Sequence, residues 1–188
     1  PSKPIINLST EGHTNQDVTA SVDYSEDSEI KLVKYNGLID ESKETYTDKS
    51  GQVWNIYEGD YVFTENGHIE AMSLDKAGNE SVISKSIINK IDKVNPENPI
   101  ISSANEEPTN QDVNINIEYD EDSFYKKYKI DDGEWLEYTG TFLMKHSGTI
   151  YAYGLDRAGN QSEIVEYIIS NIDKENEDNV NINPNTTV

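Results

Sequence analysis

Cysteine is absent from the 188 residues, which removes disulfides, thiolate nucleophiles and Cys-based zinc or iron–sulfur sites in one step. The absence excludes chemistry and leaves the compartment open. Basic residues are scarce: 15 Lys and Arg stand against 36 Asp and Glu, a formal net charge of −21. A surface of that sign disfavours polyanionic partners, so neither nucleic acid nor an acidic membrane face is expected, and what it attracts is cations. No run of 18 apolar residues occurs, so no membrane insertion is expected, and no segment follows the 3.6-residue period of an amphipathic helix. The first residue is Pro1, not a Met followed by a basic and then apolar leader. The chain therefore reads as a piece cut from a longer protein whose signals and anchors lie outside it. With 34% hydrophobic and 27% charged residues, the balance suits small domains with thin cores better than one thick core.

What is present is a repeat. The run TNQDV at 14–18 recurs at 109–113, and Tyr24, Glu26, Asp27 and Ser28 recur as Tyr119, Glu121, Asp122 and Ser123, an offset of 95. Further on, Trp54, Tyr57, Gly59 and Gly67 match Trp135, Tyr138, Gly140 and Gly148, and LDKAGN ending at Asn79 matches LDRAGN ending at Asn160, an offset of 81. Copy 1 therefore carries 14 extra residues, which fall between Tyr35 and Trp54 in NGLIDESKETYTDKSGQV. That segment has no apolar alternation and reads as an enlarged loop at about 36–52. The module boundaries that follow are 1–93 and 94–173, with 174–188 as a linker or the start of a further module, disordered by itself.

Within each copy the hydrophobic period is two. Val113, Ile115, Ile117 and Tyr119 alternate with polar residues, as do Val18, Ala20, Val22 and Tyr24, and Ile150 and Ala152 alternate with Tyr151 and Tyr153. These are half-buried antiparallel strands. The Asp132-Gly133 pair marks a tight hairpin turn in copy 2, which the long loop replaces in copy 1. For copy 2 the pattern places strands near 100–103, 113–119, 125–130, 135–138, 141–145, 148–156 and 162–172. The expected fold is all-β: two tandem seven-stranded antiparallel immunoglobulin-like, fibronectin-III-like β-sandwiches.

The run YKIDDGEWLEYTG, then GTIYAYGLDRAGN, then a Ser-led last strand, resembles the bacterial immunoglobulin-like and fibronectin-III-like repeats of Gram-positive surface proteins. The resemblance covers residues 4–92 and 96–173. It implies an extracellular setting, secreted or attached to the cell wall, flanking domains of a parent protein as partners, and no enzymatic activity of its own. It leaves three roles open: a spacer; an adhesin or carbohydrate-binding unit for a cell-surface glycan or host protein; and an accessory segment of a secreted glycosidase or protease.

Several residues carry competing readings. Asp75, Gly78 and Asn79, with Asp156, Gly159 and Asn160, offer calcium ligands, but an Asp that accepts backbone N–H bonds beside a left-handed Gly explains the same motif as a structural turn. Trp54 and Trp135 could stack on a sugar; their repeat position favours the core. Tyr151 and Tyr153 lie on the face opposite Ile150 and Ala152, and with Tyr46 in the enlarged loop they are the candidate ligand contacts. No cofactor is required by any motif. For calcium two readings stand. Either an ion sits at the junction of the copies on Asp92, Asn95 and one or two of Asp120 and Asp122, or the surface there is merely acidic and solvated with a proline-stiffened hinge. No catalytic residue is expected, because His13, His68 and His146 stand in no motif.

Overall fold

The structure, a computed structural model, describes residues 1–174; the expected linker or further module beyond Lys174 lies outside the described residues. The chain forms two compact units, one of Pro1–Val94 with Ala158–Asn160 and one of Asn95–Arg157 with the described residues from Gln161 to Lys174.

The first unit has eight strands: β1 (Ile5–Leu8), β2 (Val18–Asp23), β3 (Ile30–Tyr35), β4 (Thr45–Thr47), β5 (Val53–Ile56), β6 (Tyr61–Phe63), β7 (Gly67–Leu74) and β8 (Ser84–Ile88). They make two antiparallel sheets, β1-β2-β6 and β4-β5-β3-β7-β8. Period-two alternation turns Val18, Ala20, Val22 and Phe63 of one sheet against Val33, Ile69, Ala71 and Ile88 of the other, and these side chains form the core. The second unit has seven: β9 (Ile100–Ser103), β10 (Val113–Glu118), β11 (Tyr125–Ile130), β12 (Leu136–Glu137), β13 (Phe142–Met144), β14 (Gly148–Leu155) and β15 (Val165–Ile169). Its sheets are β9-β10-β13 and β12-β11-β14-β15, closed over Val113, Ile115, Ile117, Met144, Ile150, Ala152 and Ile169. Both are all-β sandwiches with the strand order of the fibronectin-III branch of the immunoglobulin-like class.

Two expectations about the first unit need correction. Its extra segment is not only a loop: Thr45–Thr47 form β4, which extends the larger sheet at the edge of β5 and makes this unit eight-stranded. Nor does that segment replace the tight turn. Asn36 and Gly37 have φ of 53° and 69°, and the Leu38 N–H donates to the Tyr35 carbonyl at 2.8 Å. The hairpin survives and the insertion follows it. In the second unit the left-handed residue is Asp131 (φ 50°), the counterpart of Asn36, and not the Asp132-Gly133 pair. Both side chains do the same work: Asn36 Oδ1 accepts the His68 N–H at 2.8 Å and Asp131 Oδ1 accepts the Thr149 N–H at 2.7 Å. Asn and Asp tolerate αL because the short polar side chain finds such a local donor.

The repeated TNQD motif has a structural role that periodicity does not disclose. Thr14 forms a parallel bridge to Ile91: its N–H donates to the Lys90 carbonyl at 3.0 Å and its carbonyl accepts the Asp92 N–H at 2.9 Å. Asn66 grips Ile91 from the other side through both its amide groups, at 2.8 and 3.0 Å, and Lys93 pairs with Asp17 at 2.5 Å. The second unit repeats each part. Thr109 bridges Ile172, Ser147 takes the place of Asn66, and Lys174 pairs with Asp112. The Thr hydroxyls, each accepting the N–H of the Gln two residues on at 3.0 Å, turn the chain into this position.

One departure between the copies predicts opposite mutant effects. The Ser28 hydroxyl bonds to the Ser25 and Ser73 hydroxyls, at 3.0 and 2.9 Å. In the second unit the counterpart of Ser73 is Gly154, and the buried Ser123 hydroxyl has no hydrogen-bond partner among the described residues. The backbone has closed in: a Cβ on Gly154 would meet Ser123 Oγ at 2.1 Å and its Cβ at 2.9 Å. Ser123→Ala should therefore leave stability unchanged or raise it by up to about 1 kcal/mol, whereas Ser28→Ala should cost about 1–2 kcal/mol. Thermal denaturation of the two variants checks this; a loss at Ser123 as large as that at Ser28 would contradict it.

Candidate functional site

The larger sheet of each unit has an outer face turned away from the core, and there the two copies differ most. In the first unit the outward residues of β3, β5 and β7 include an apolar cluster. Leu32, Trp54, Met72 and Leu74 are all buried, with Ile30, Tyr46 and Ile56 packed around them, and they form a second small core. The insertion is what covers it. Tyr46 of β4 lies opposite Trp54 in register, and the Trp54 indole N–H donates to Asp48 Oδ2 at 2.8 Å. Asp48 also accepts the Ser50 hydroxyl and the backbone N–H groups of Ser50 and Gln52. Those bonds, led by the Ser50 hydroxyl and including the Trp54 indole, hold its carboxyl down at about 2. Lys34, 9% exposed, places its ammonium 4.3 Å from the centre of the Trp54 ring and donates to Gln52 Oε1 at 3.2 Å.

In the second unit no insertion exists and the same face is open. Trp135 is half-buried, so its assignment to the core is corrected: the alternation that points Tyr128 and Ile130 inward points Lys127, Lys129 and Trp135 outward. Trp135 meets Tyr153 edge-on at 4.6 Å, and Lys129 sits 5.5 Å from the Trp135 ring and 5.0 Å from that of Tyr151. Where the first unit has Leu32 and Ile56, the second has Lys127 and Glu137, ion-paired at 2.6 Å. That hydrogen bond raises the ammonium's pKa and lowers the carboxylate's. The face is a platform of three aromatic rings, an ammonium and an ion pair, a surface that both water and a polar ligand can wet. Tyr151 and Tyr153 are thus brought together, with Trp135 added; Tyr46 belongs to the first unit, packed against its Trp54.

The turn residues behave unequally. Asp75 accepts the N–H groups of Ala77 and Asn79 at 2.9 and 2.8 Å and the Asn79 side-chain amide at 2.8 Å, beside Gly78 at φ 77°. These bonds hold its carboxyl below the usual range, led by the Asn79 side chain. In the second copy Gly159 keeps the left-handed angle (φ 93°), while Asp156 and Asn160 are buried. Within the second unit a carboxylate oxygen of Asp156 lies within 4.8 Å of one of the exposed Asp122, a pair of oxygens spaced to flank a cation. Asp120 accepts the Glu97 N–H at 2.9 Å, Asp92 accepts that of Val94 at 3.0 Å, and Asn95 is exposed. Asp156, whose motif the turn reading explains without an ion, lies outside the expected junction set of Asp92, Asn95, Asp120 and Asp122. His13 and His146 are exposed and His68 is half-buried.

No protein-family model and no curated protein sequence matches the chain. Among solved structures it is similar to the fibronectin(III)-like modules of Clostridium thermocellum CbhA, with TM-score 0.42 and 9% identity over 90% of this chain and 95% of that one. It is also similar to the D00–D0 domain of intimin, with TM-score 0.27 and 11% identity over 87% of this chain and 99% of that one. The fold assignment follows from the strand order and core of each unit, which define a pair of immunoglobulin-like β-sandwich modules.

Proposed function

We propose that the chain is a pair of non-catalytic spacer modules within a larger extracellular protein, built to carry tension along the chain. The observation that supports this reading is the duplicated clamp at Ile91 and Ile172. In each unit a segment near the beginning of the module, at Thr14 or Thr109, runs parallel to the segment by which the chain leaves it. Pulling the two ends apart loads the hydrogen bonds of a parallel pair together, in shear. Resistance to such unfolding is a property of the unfolding rate, not of equilibrium stability.

Single-molecule extension of the chain tests this. Two unfolding events of comparable force are expected. Thr14→Pro, which removes the N–H bonded to Lys90, should raise the first unit's unfolding rate under load by about tenfold, the effect of losing one hydrogen bond. The second unit's event should not change. If the variant unfolds at the force of the unaltered unit, the clamp bears no load and the reading fails. Calcium belongs to the same proposal through Asp120, Asp122 and Asp156 of the second unit; equal forces in calcium and in EDTA would remove it.

A further inference from the structure

The first unit displays what kind of chain segment fits the outer face of this sheet, because it carries one. Its cover is extended: β4 pairs antiparallel with the edge of β5, Tyr46 opposite Trp54, and the Ile56 N–H donates to the Glu44 carbonyl at 2.9 Å. Two residues after Tyr46, Asp48 accepts the indole N–H of Trp54 beside the Lys34 ammonium.

The second unit retains the receiving half of that arrangement without the cover. Trp135 and Lys129 are the repeat counterparts of Trp54 and Lys34, and the ammonium again lies over the ring. Lys129 forms no ion pair and the Trp135 indole no hydrogen bond among the described residues. β12 is the edge of its sheet, paired only with β11. In both units the N–H of the following tyrosine turns inward, Tyr57 to Lys31 and Tyr138 to Lys126, each at 2.8 Å. By strand alternation the preceding N–H, that of Ile56 in one unit and Glu137 in the other, points out across the edge. The Glu137 N–H therefore points outward along the sheet edge, and the Trp135 indole donor and the Lys129 ammonium, close to two aromatic rings, stand on the adjoining outer face.

We propose that this face of the second unit binds an extended peptide with an aromatic–x–Asp pattern, added antiparallel to β12 as β4 is added to β5. Backbone pairing along the edge supplies register, the ring of the ligand lies against Trp135, and its carboxylate accepts the indole N–H next to Lys129. The choice of a peptide over a sugar rests on the cover of the first unit and on the charge: Lys129 complements a carboxylate. It is independent of the load-bearing reading, since a spacer and an adhesin could both carry such a site.

The test is a titration of the whole ¹⁵N-labelled chain with a synthetic peptide of residues 43–50, KETYTDKS. Saturable shifts are expected at the Trp135 indole and the Glu137 and Lys129 amides, with none at the Trp54 indole. A peptide carrying Asn in place of Asp48 should bind roughly tenfold more weakly. Trp135→Ala should abolish the shifts at Glu137 and Lys129, and Lys129→Glu, which leaves all the aromatic packing in place, should abolish them as well. The proposal is overturned by the absence of any saturable shift at low-millimolar peptide, or by equal shifts from a scrambled peptide. It is equally overturned if a neutral hexasaccharide moves the Trp135 indole while the peptide does not.

Discussion

Trp54→Ala should cost the first unit about 4 kcal/mol, whereas Trp135→Ala should cost the second about 1 kcal/mol or less, although the two residues are repeat counterparts. Trp54 is fully buried beneath β4, so truncation leaves a cavity flanked by Leu32, Met72 and Leu74 and deprives Asp48 of its indole donor. Truncating a buried Trp typically costs about 3–5 kcal/mol, and the carboxylate that loses its partner adds to it. Trp135 is half-buried, and its removal forfeits mainly the edge contact with Tyr153 and the Lys129 ammonium, worth roughly 1 kcal/mol at such a site. For units of this size 1 kcal/mol moves Tm by about 4–8 °C. Calorimetry of the whole chain should therefore show one transition falling by some 15–30 °C in the first variant and only a small displacement in the second. Equal displacements would mean that the cover contributes nothing to the first unit.

This contrast also marks how far the sequence could be read. Strand positions of the second unit were legible, because Val113, Ile115, Ile117, Ile150 and Ala152 alternate strictly and a one-residue slip would turn them all to water. The division into two copies was legible from the offsets. What could not be read was the second core. The segment 36–52 has no alternation of its own since only Ile39, Tyr46 and Asp48 are withdrawn from solvent, and a three-residue strand is too short to leave a period. A clue was nonetheless present: Leu32, Trp54, Ile56, Met72 and Leu74 are apolar on the face that the second copy fills with Lys127, Trp135, Glu137, Tyr153 and Leu155. A strand apolar on both faces is buried on both, and only something added in copy 1 could bury it. Trp135 was misassigned for the same reason, since its counterpart's environment is supplied by residues that the second copy lacks. The clamp was invisible in another way. Thr14 and Ile91 stand 77 residues apart and Thr109 and Ile172 63, and neither TNQD nor IDK has a period; both were evident as repeats, but not as partners.

If the outer face of the first unit owes its apolar character to the insertion, removing the insertion should be ruinous and a defined set of surface changes should repair it. Replacing residues 36–53 with the four residues 131–134 of the second unit deletes the 14 extra positions and leaves Leu32, Trp54, Met72 and Leu74 without a cover. Each such side chain is worth about 1.5–3 kcal/mol when fully removed from water. A partial uncovering of four therefore costs on the order of 5 kcal/mol, comparable to the whole stability of a typical small domain. The shortened chain should lose its first calorimetric transition or self-associate through the new apolar patch, seen as a shift in mass by light scattering after gel filtration. Adding Leu32→Lys, Ile56→Glu and Met72→Tyr transplants the outward residues with which the second unit lives uncovered, including the ion pair that joins Lys127 to Glu137. That variant should return to a monomer with two transitions. A shortened chain that stays monomeric with its first transition unmoved would show that the insertion is only an ornament on the loop, and that the apolar face is buried by something else.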